Sequence, residues 1–117
     1  AEAGSMLGSA GVIVMDEDAC MVNALYNLER FYAHESCGQC TPCREGTTWM
    51  VKILKRLEMG GGRPEDLPLL EDIARHINFR TICPLGDAAA MPAASFLKQF
   101  RDEFAAHAEL GRCPQRR

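Results

Sequence analysis

The chain's 117 residues are 47% hydrophobic and 25% charged, and 13 Lys and Arg stand against 16 Asp and Glu for a net charge of −3. This is one domain's worth of polypeptide with an ordinary core, and without a basic stripe to neutralise phosphates it is not expected to bind nucleic acid. No apolar run approaches the ~20 residues that span a bilayer, and the opening AEAGSM lacks the basic and apolar stretches of a secretory signal. A soluble, intracellular chain with no direct membrane insertion is expected.

Residues 4–15, GSMLGSAGVIVM, place spaced glycines before an apolar run at 12–15 that reads as a short buried strand. A single strand cannot satisfy its own backbone groups, so it must pair with the preceding segment or with something outside the chain. The glycines do not make a phosphate loop, because no Gly-Lys-Ser/Thr and no βαβ unit follow. From Asp16 the period becomes helical. Acidic residues open the first helix, expected over 18–34, and Met21, Leu25, Leu28 and Tyr32 form its stripe. Thr41 as N-cap and Pro42 at the first helical position start a second helix with Met50, Ile53, Leu54 and Leu57 inward, ended by Gly60-Gly61-Gly62. A third is expected over 64–77, with Leu67, Leu70, Ile73, Ala74 and Ile77 inward and Asn78 as its stop. A fourth is expected over 86–108, carrying Ala93, Leu97, Phe100 and Phe104, with Pro92 implying a kink or a short break near 89–91. The fold class is therefore mainly α, a four-helix bundle preceded by a short strand. Trp49, Phe96, Phe100 and Phe104 read as core, His34 as a partner of its helix dipole, and His76 and His107 as residues of polar flanks.

Six cysteines, at 20, 37, 40, 43, 83 and 113, need an explanation that a domain of this size does not require from disulfides. Cys37, Cys40 and Cys43 sit together in SCGQCTPC, which argues against dispersed staples. Zinc uses Cys-x-x-Cys knuckles, normally in two pairs, and would leave one cysteine over. An iron–sulfur cube presents separate iron corners, and this loop can give one thiolate to each of three. The fourth corner needs a remote cysteine. Cys83 lies between two helical patterns, whereas Cys113 lies in a Pro/Arg-rich tail prone to fray, so Cys83 is favoured. Cys20 and Cys113 are read as free thiols. The first turn of helix two and Arg44 bring positive potential to a cluster that carries net negative charge, although Arg44 can equally pair with a neighbouring acid. Gly38 and Gly46 allow tight turning, close approach to a cluster, or helix packing. No Ser-His-Asp set, carboxylate pair or second cysteine run is present. The reading that follows is a one-electron relay, with a structural zinc-binding interaction module and a metal-free helical bundle as its rivals.

Three blocks, GSAGVIVMDE at 8–17, ESCGQCTPCREGT at 35–47 and ICPLGDAA at 82–89, closely resemble the C-terminal region of the NADH-binding, FMN-containing subunit of respiratory complex I. Flavin subunits of NAD-reducing hydrogenases and NAD-dependent formate dehydrogenases share the central run. The resemblance implies a [4Fe–4S] cluster held by Cys37, Cys40, Cys43 and Cys83 in a four-helix domain at 18–110. It implies that residues 1–17 are the end of a ubiquitin-like β domain and that 111–117 are a tail. It implies electron flow from reduced FMN to the next iron–sulfur centre, partners among the other subunits, iron–sulfur subunits included, and a place at the cytoplasmic face of the inner membrane, or the matrix side in a mitochondrion. The Gly-rich FMN and NADH sites of the family are missing from these residues. The chain therefore looks like the C-terminal part of a longer protein and is not expected to oxidise NADH alone.

Overall fold

The structure, a computed structural model, describes residues 2–115. Those residues form five helices and no strand: α1 (Met21–Glu35), α2 (Thr41–Glu58), α3 (Asp66–Ile77), α4 (Leu85–Gln99) and α5 (Arg101–Leu110). Short connections make α1 to α4 run alternately up and down. The closest packing is α1 on α2 and α3 on α4, with α2 against α3 joining the pairs. Leu25, Met50, Leu54, Leu57, Leu70, Ile77, Leu97 and Phe104 are sealed in the centre, the stripes that the 3.6-residue period marked. None of these helices is long and apolar enough to cross a membrane.

The alternation gives the bundle two ends. One gathers the C-termini of α1 and α3 with the N-termini of α2 and α4. The other gathers the N-terminus of α1, the C-terminus of α2 and all of α5, which touches each of the other four helices. Met21 N–H donates to Glu103 Oε1 at 2.8 Å, docking α5 on the start of α1. Between α2 and α3, buried Asp66 accepts Arg63 N–H and Arg56 Nε at 3.0 Å each through Oδ2, and Arg56 Nη2 through Oδ1. This two-pronged guanidinium–carboxylate pair closes the turn.

Three expectations are corrected. Residues 12–15 form no strand: Val12, Ile13 and Val14 are 84%, 80% and 89% exposed, because nothing in the described residues offers an edge with which to pair. The four-helix bundle has a fifth helix, cut from the expected fourth at Phe100 (φ −118°, ψ 30°) rather than near Pro92. Proline forfeits one backbone bond, and the surrounding alanines, the best helix formers, carry α4 through it. Of the four aromatics assigned to the core, only Phe104 is fully buried; Trp49 is 51% exposed and Phe100 turns its ring edge-on to half-buried Phe96 at 5.9 Å.

Two positions carry strain or cost that sequence periodicity does not display. Gly60 has φ +85°, and a Cβ there would lie 2.1 Å from the Gly111 carbonyl oxygen, so α2 can end against the turn after α5 only with glycine. Replacing Gly60 by Ala should destabilise the fold by about 2 kcal/mol or more, and a denaturant midpoint no lower than wild type would contradict that packing. Glu29, on the buried face of α1, has no hydrogen-bond partner for either carboxyl oxygen among the described residues, and burial pushes it up to about 8 from 4.5. The folded chain therefore holds a proton that the unfolded chain releases between these values. Stability from this group is full below about pH 4.5, falls as pH rises and levels off above about pH 8. Glu29→Gln should remove that fall and gain roughly 2–5 kcal/mol over wild type at the alkaline end, measured by denaturation of both proteins across the range.

Candidate metal centre

Helix α1 stops at Ser36, an extended residue whose N–H still reaches Tyr32 O at 3.0 Å. The loop then turns at Gly38 (φ +81°), a backbone conformation that side-chain-bearing residues seldom adopt. Arg44 Nη1 reaches back from α2 to Gly38 O at 2.8 Å while its Nε pairs with Glu45 Oε1 at 3.0 Å. Arg44 therefore both clamps the loop and pairs with an acid. Cys40, rather than Thr41, is the N-cap of α2, and Cys43 follows in its first turn, buried, with Sγ 3.3 Å from Ser36 Oγ. Gly46 serves the packing of α2 on α3: a Cβ there would meet Ile77 Cδ1 at 2.6 Å.

Cys83 arrives from the α3–α4 connection. That segment is tied by Phe79 N–H to Asp87 Oδ1 at 2.6 Å and by Thr81 Oγ1 to Cys83 O at 2.9 Å. Ile82 N–H donates to Cys40 Sγ at 3.4 Å across 42 positions of sequence. Cys37, Cys40, Cys43 and Cys83 all line one cavity of about 80 Å³ at the end of the bundle where α2 and α4 begin. Two helix N-termini, with their free N–H groups, therefore lie beside four thiols, a setting that favours negative charge. Cys37 and Cys83 are exposed, Cys40 is half-buried and Cys43 is buried, so the site opens on one side. An all-thiol donor set of this kind fits an iron–sulfur cluster. The sulfurs also do not crowd about one point: the group of three ligand atoms within 4.8 Å of one another lies elsewhere among the described residues.

That other group is Cys20, His107 and Cys113, and it corrects the sequence reading. His107, assigned to a polar flank, is 0% exposed, and Cys113, assigned to a fraying tail, is 3% exposed. The signal for His107 was present: it stands three residues after Phe104, on the stripe that α5 buries. Cys113 had none, since its burial depends on the left-handed turn at Gly111. Cys20 caps α1 by accepting Asn23 N–H at 3.4 Å, and its Sγ lies 3.3 Å from His107 Nε2. Burial pushes its thiol up to about 12.

Known proteins resemble this chain across the helices that carry the first of these two sites. The family model for the NADH-ubiquinone oxidoreductase-F iron-sulfur binding region matches residues 23–107. One of the NADH-quinone oxidoreductase F subunits of Rhizobium meliloti is 54% identical over 96% of this chain and 27% of its own length. The F subunit of the Streptomyces coelicolor enzyme is 51% identical over 96% of this chain and 25% of its own. The chain thus spans about a quarter of the length of these relatives. Among solved structures, an NAD+-reducing [NiFe]-hydrogenase in the H2-reduced state superposes with a TM-score of 0.73 at 31% identity, over 86% of this chain and 17% of that one. With its matched region running from α1 into α5 and all four loop and connection cysteines inside it, this chain belongs to the NADH-ubiquinone oxidoreductase-F iron–sulfur binding region family.

Proposed function

We propose that Cys37, Cys40, Cys43 and Cys83 ligate one [4Fe–4S] cluster and that the domain relays single electrons from reduced FMN to the next iron–sulfur centre of an NADH:quinone oxidoreductase. The observation that carries this reading is the meeting of the four thiols in one cavity, within a family defined by iron–sulfur binding. Bound there, the cluster supplies reversible one-electron storage. The chain's own residues do the rest. Four deprotonated thiols hold the metal; the start of α2, the start of α4 and Arg44 offset the negative charge. The Ser36 hydroxyl, 3.3 Å from Cys43 Sγ, can donate to that sulfur and favour the reduced state. The exposed side, formed by Cys37 and Cys83, offers the short path that electron transfer to a neighbouring subunit requires.

We infer the rest of the assembly from the resemblance to such subunits. Residues 1–17 would belong to the end of a preceding ubiquitin-like β domain, whose strands would cover Val12, Ile13 and Val14; residues 18–110 would form the iron–sulfur domain and 111–117 its tail. FMN and NADH would bind to other parts of the longer protein, and further iron–sulfur subunits would receive the electrons, at the cytoplasmic face of the inner membrane or the matrix side in a mitochondrion. The same relay within an NAD-reducing hydrogenase is the second reading, favoured by the superposition on such an enzyme; a formate dehydrogenase is a third setting for the same chemistry.

Protein purified without oxygen should contain about four irons and matching acid-labile sulfide per chain. About one zinc without sulfide at these cysteines would overturn the reading in favour of a structural zinc module. Cys83→Ala should lower iron to about three per chain or empty the site, while Cys113→Ala leaves iron unchanged; the reverse result would move the fourth ligand. With NADH alone the chain should reduce no artificial acceptor, whereas dithionite should reduce its cluster reversibly.

A further inference from the structure

The far end of the bundle gathers a second set of donors that the relay does not use. Cys20 Sγ lies 3.3 Å from His107 Nε2 and 3.8 Å from Glu58 Oε2, and His107 Nε2 lies 3.9 Å from the same carboxylate oxygen. Cys113 Sγ completes a group with Cys20 and His107 whose ligand atoms are all within 4.8 Å of one another. A tetrahedral ion with metal–sulfur bonds of about 2.3 Å and metal–nitrogen bonds of about 2.0–2.1 Å has edges of about 3.3–3.8 Å. The Cys20–His107 separation already equals such an edge and the two separations to Glu58 Oε2 approach it, while Cys113 Sγ stands within 4.8 Å of both other ligand atoms.

The imidazole is set for the task. His107 Nδ1 lies 2.8 Å from the Glu103 carbonyl oxygen. A carbonyl only accepts, so Nδ1 carries the hydrogen and the lone pair of Nε2 faces Cys20. This is the outer hydrogen bond that orients metal-bound histidines. Glu103 is itself anchored, through Oε1, by Met21 N–H. Glu58 Oε1 is held by Asn23 Nδ2 at 3.1 Å, which turns Oε2 inward. His107 and Cys113 are almost wholly buried, yet Cys20 and Cys113 also line an open cleft that gives an ion a way in.

We propose that Cys20, His107 and Cys113, with Glu58 Oε2 as fourth donor, form a metal site for a single divalent ion of the zinc type, distinct from the four-cysteine cavity. Mixed thiolate, imidazole and carboxylate donors in a four-coordinate arrangement select zinc over magnesium or calcium. On binding, each thiol forms a metal–sulfur bond and releases one proton to water, while the histidine stays neutral with its hydrogen on Nδ1. No electron is transferred. The ion would staple the start of α1, the last residue of α2, α5 and the segment after it, which sequence separates widely. With α1 15 residues long at about 1.5 Å rise each, this site stands about 20 Å from the cysteine loop. The proposal does not depend on what the loop cysteines bind.

The test measures zinc and iron together in the complete chain, prepared without oxygen or chelator. About one zinc per chain is expected beside the iron. It should persist in Cys37→Ser and disappear in Cys20→Ser and Cys113→Ser, both of which keep their iron. Serine caps helices well, so Cys20→Ser should preserve α1. Cobalt added to the iron-loaded chain should give the thiolate-to-metal bands of a tetrahedral site, with affinity falling more than about 100-fold in either serine variant, beyond the 10–100-fold cost of losing an outer partner. Wild type binding no more zinc or cobalt than the Cys20→Ser variant would overturn the proposal. So would zinc that leaves with Cys37→Ser, or a Cys20–Cys113 disulfide in the oxygen-free preparation. Iron content is read separately in every arm, so failure here and failure of the relay reading give different results.

Discussion

Thiols from two distant parts of the chain must reach one small cavity, and the antiparallel pairing of helices is what brings them there. α1 and α2 form one hairpin and α3 and α4 another, and the cysteines sit at the bends. The contact from Ile82 N–H to Cys40 Sγ is where the bends touch. Everything that sets the angle between the hairpins therefore bears on the cavity. Gly46 does so most directly, since it lets Ile77 of α3 lie against α2 one turn beyond Cys43. The Arg56–Asp66 pair does the same from the other end of α2, by fixing how α3 begins.

Polar groups at the cavity hold backbone rather than fill space. Arg44 spans the loop to Gly38, Asp87 holds Phe79 N–H, and Thr81 bonds the Cys83 carbonyl. Phe79 itself has φ +58°, uncommon for an aromatic residue, and the Asp87 bond helps to hold it there. These contacts restrain the loop and the connection, which lowers the conformational entropy of the backbone around the four thiols.

The two ends of the bundle differ in kind. The cysteine end presents two exposed thiols, Cys37 and Cys83, while at the opposite end His107 and Cys113 are buried and Cys20 is half-buried beside an open cleft. Glu29 adds a third buried polar feature in the first helix between these ends, without a hydrogen-bond partner among the described residues and pushed up to about 8 by burial. It ties the stability of α1 to pH without taking part in either site.

The local signals in the sequence were sufficient for the first three helices, the aliphatic residues they bury and the cysteine loop, because those depend on neighbours within a few residues. Cys37, Cys40 and Cys43 announce themselves by spacing, and Cys83 by its place between two helical patterns. Residues 12–15 carry the pattern of a strand, but a strand exists only by pairing, and the described residues supply no partner. Whether Pro92 or Phe100 would break the last long helix was a contest between one lost hydrogen bond and the packing of the helix on its neighbours, which periodicity cannot weigh. The burial of His107 and Cys113 was likewise decided in three dimensions. It needs α5 to turn away at Phe100 and the chain to reverse at Gly111 against Gly60, a contact between glycines far apart in sequence that only the folded backbone creates.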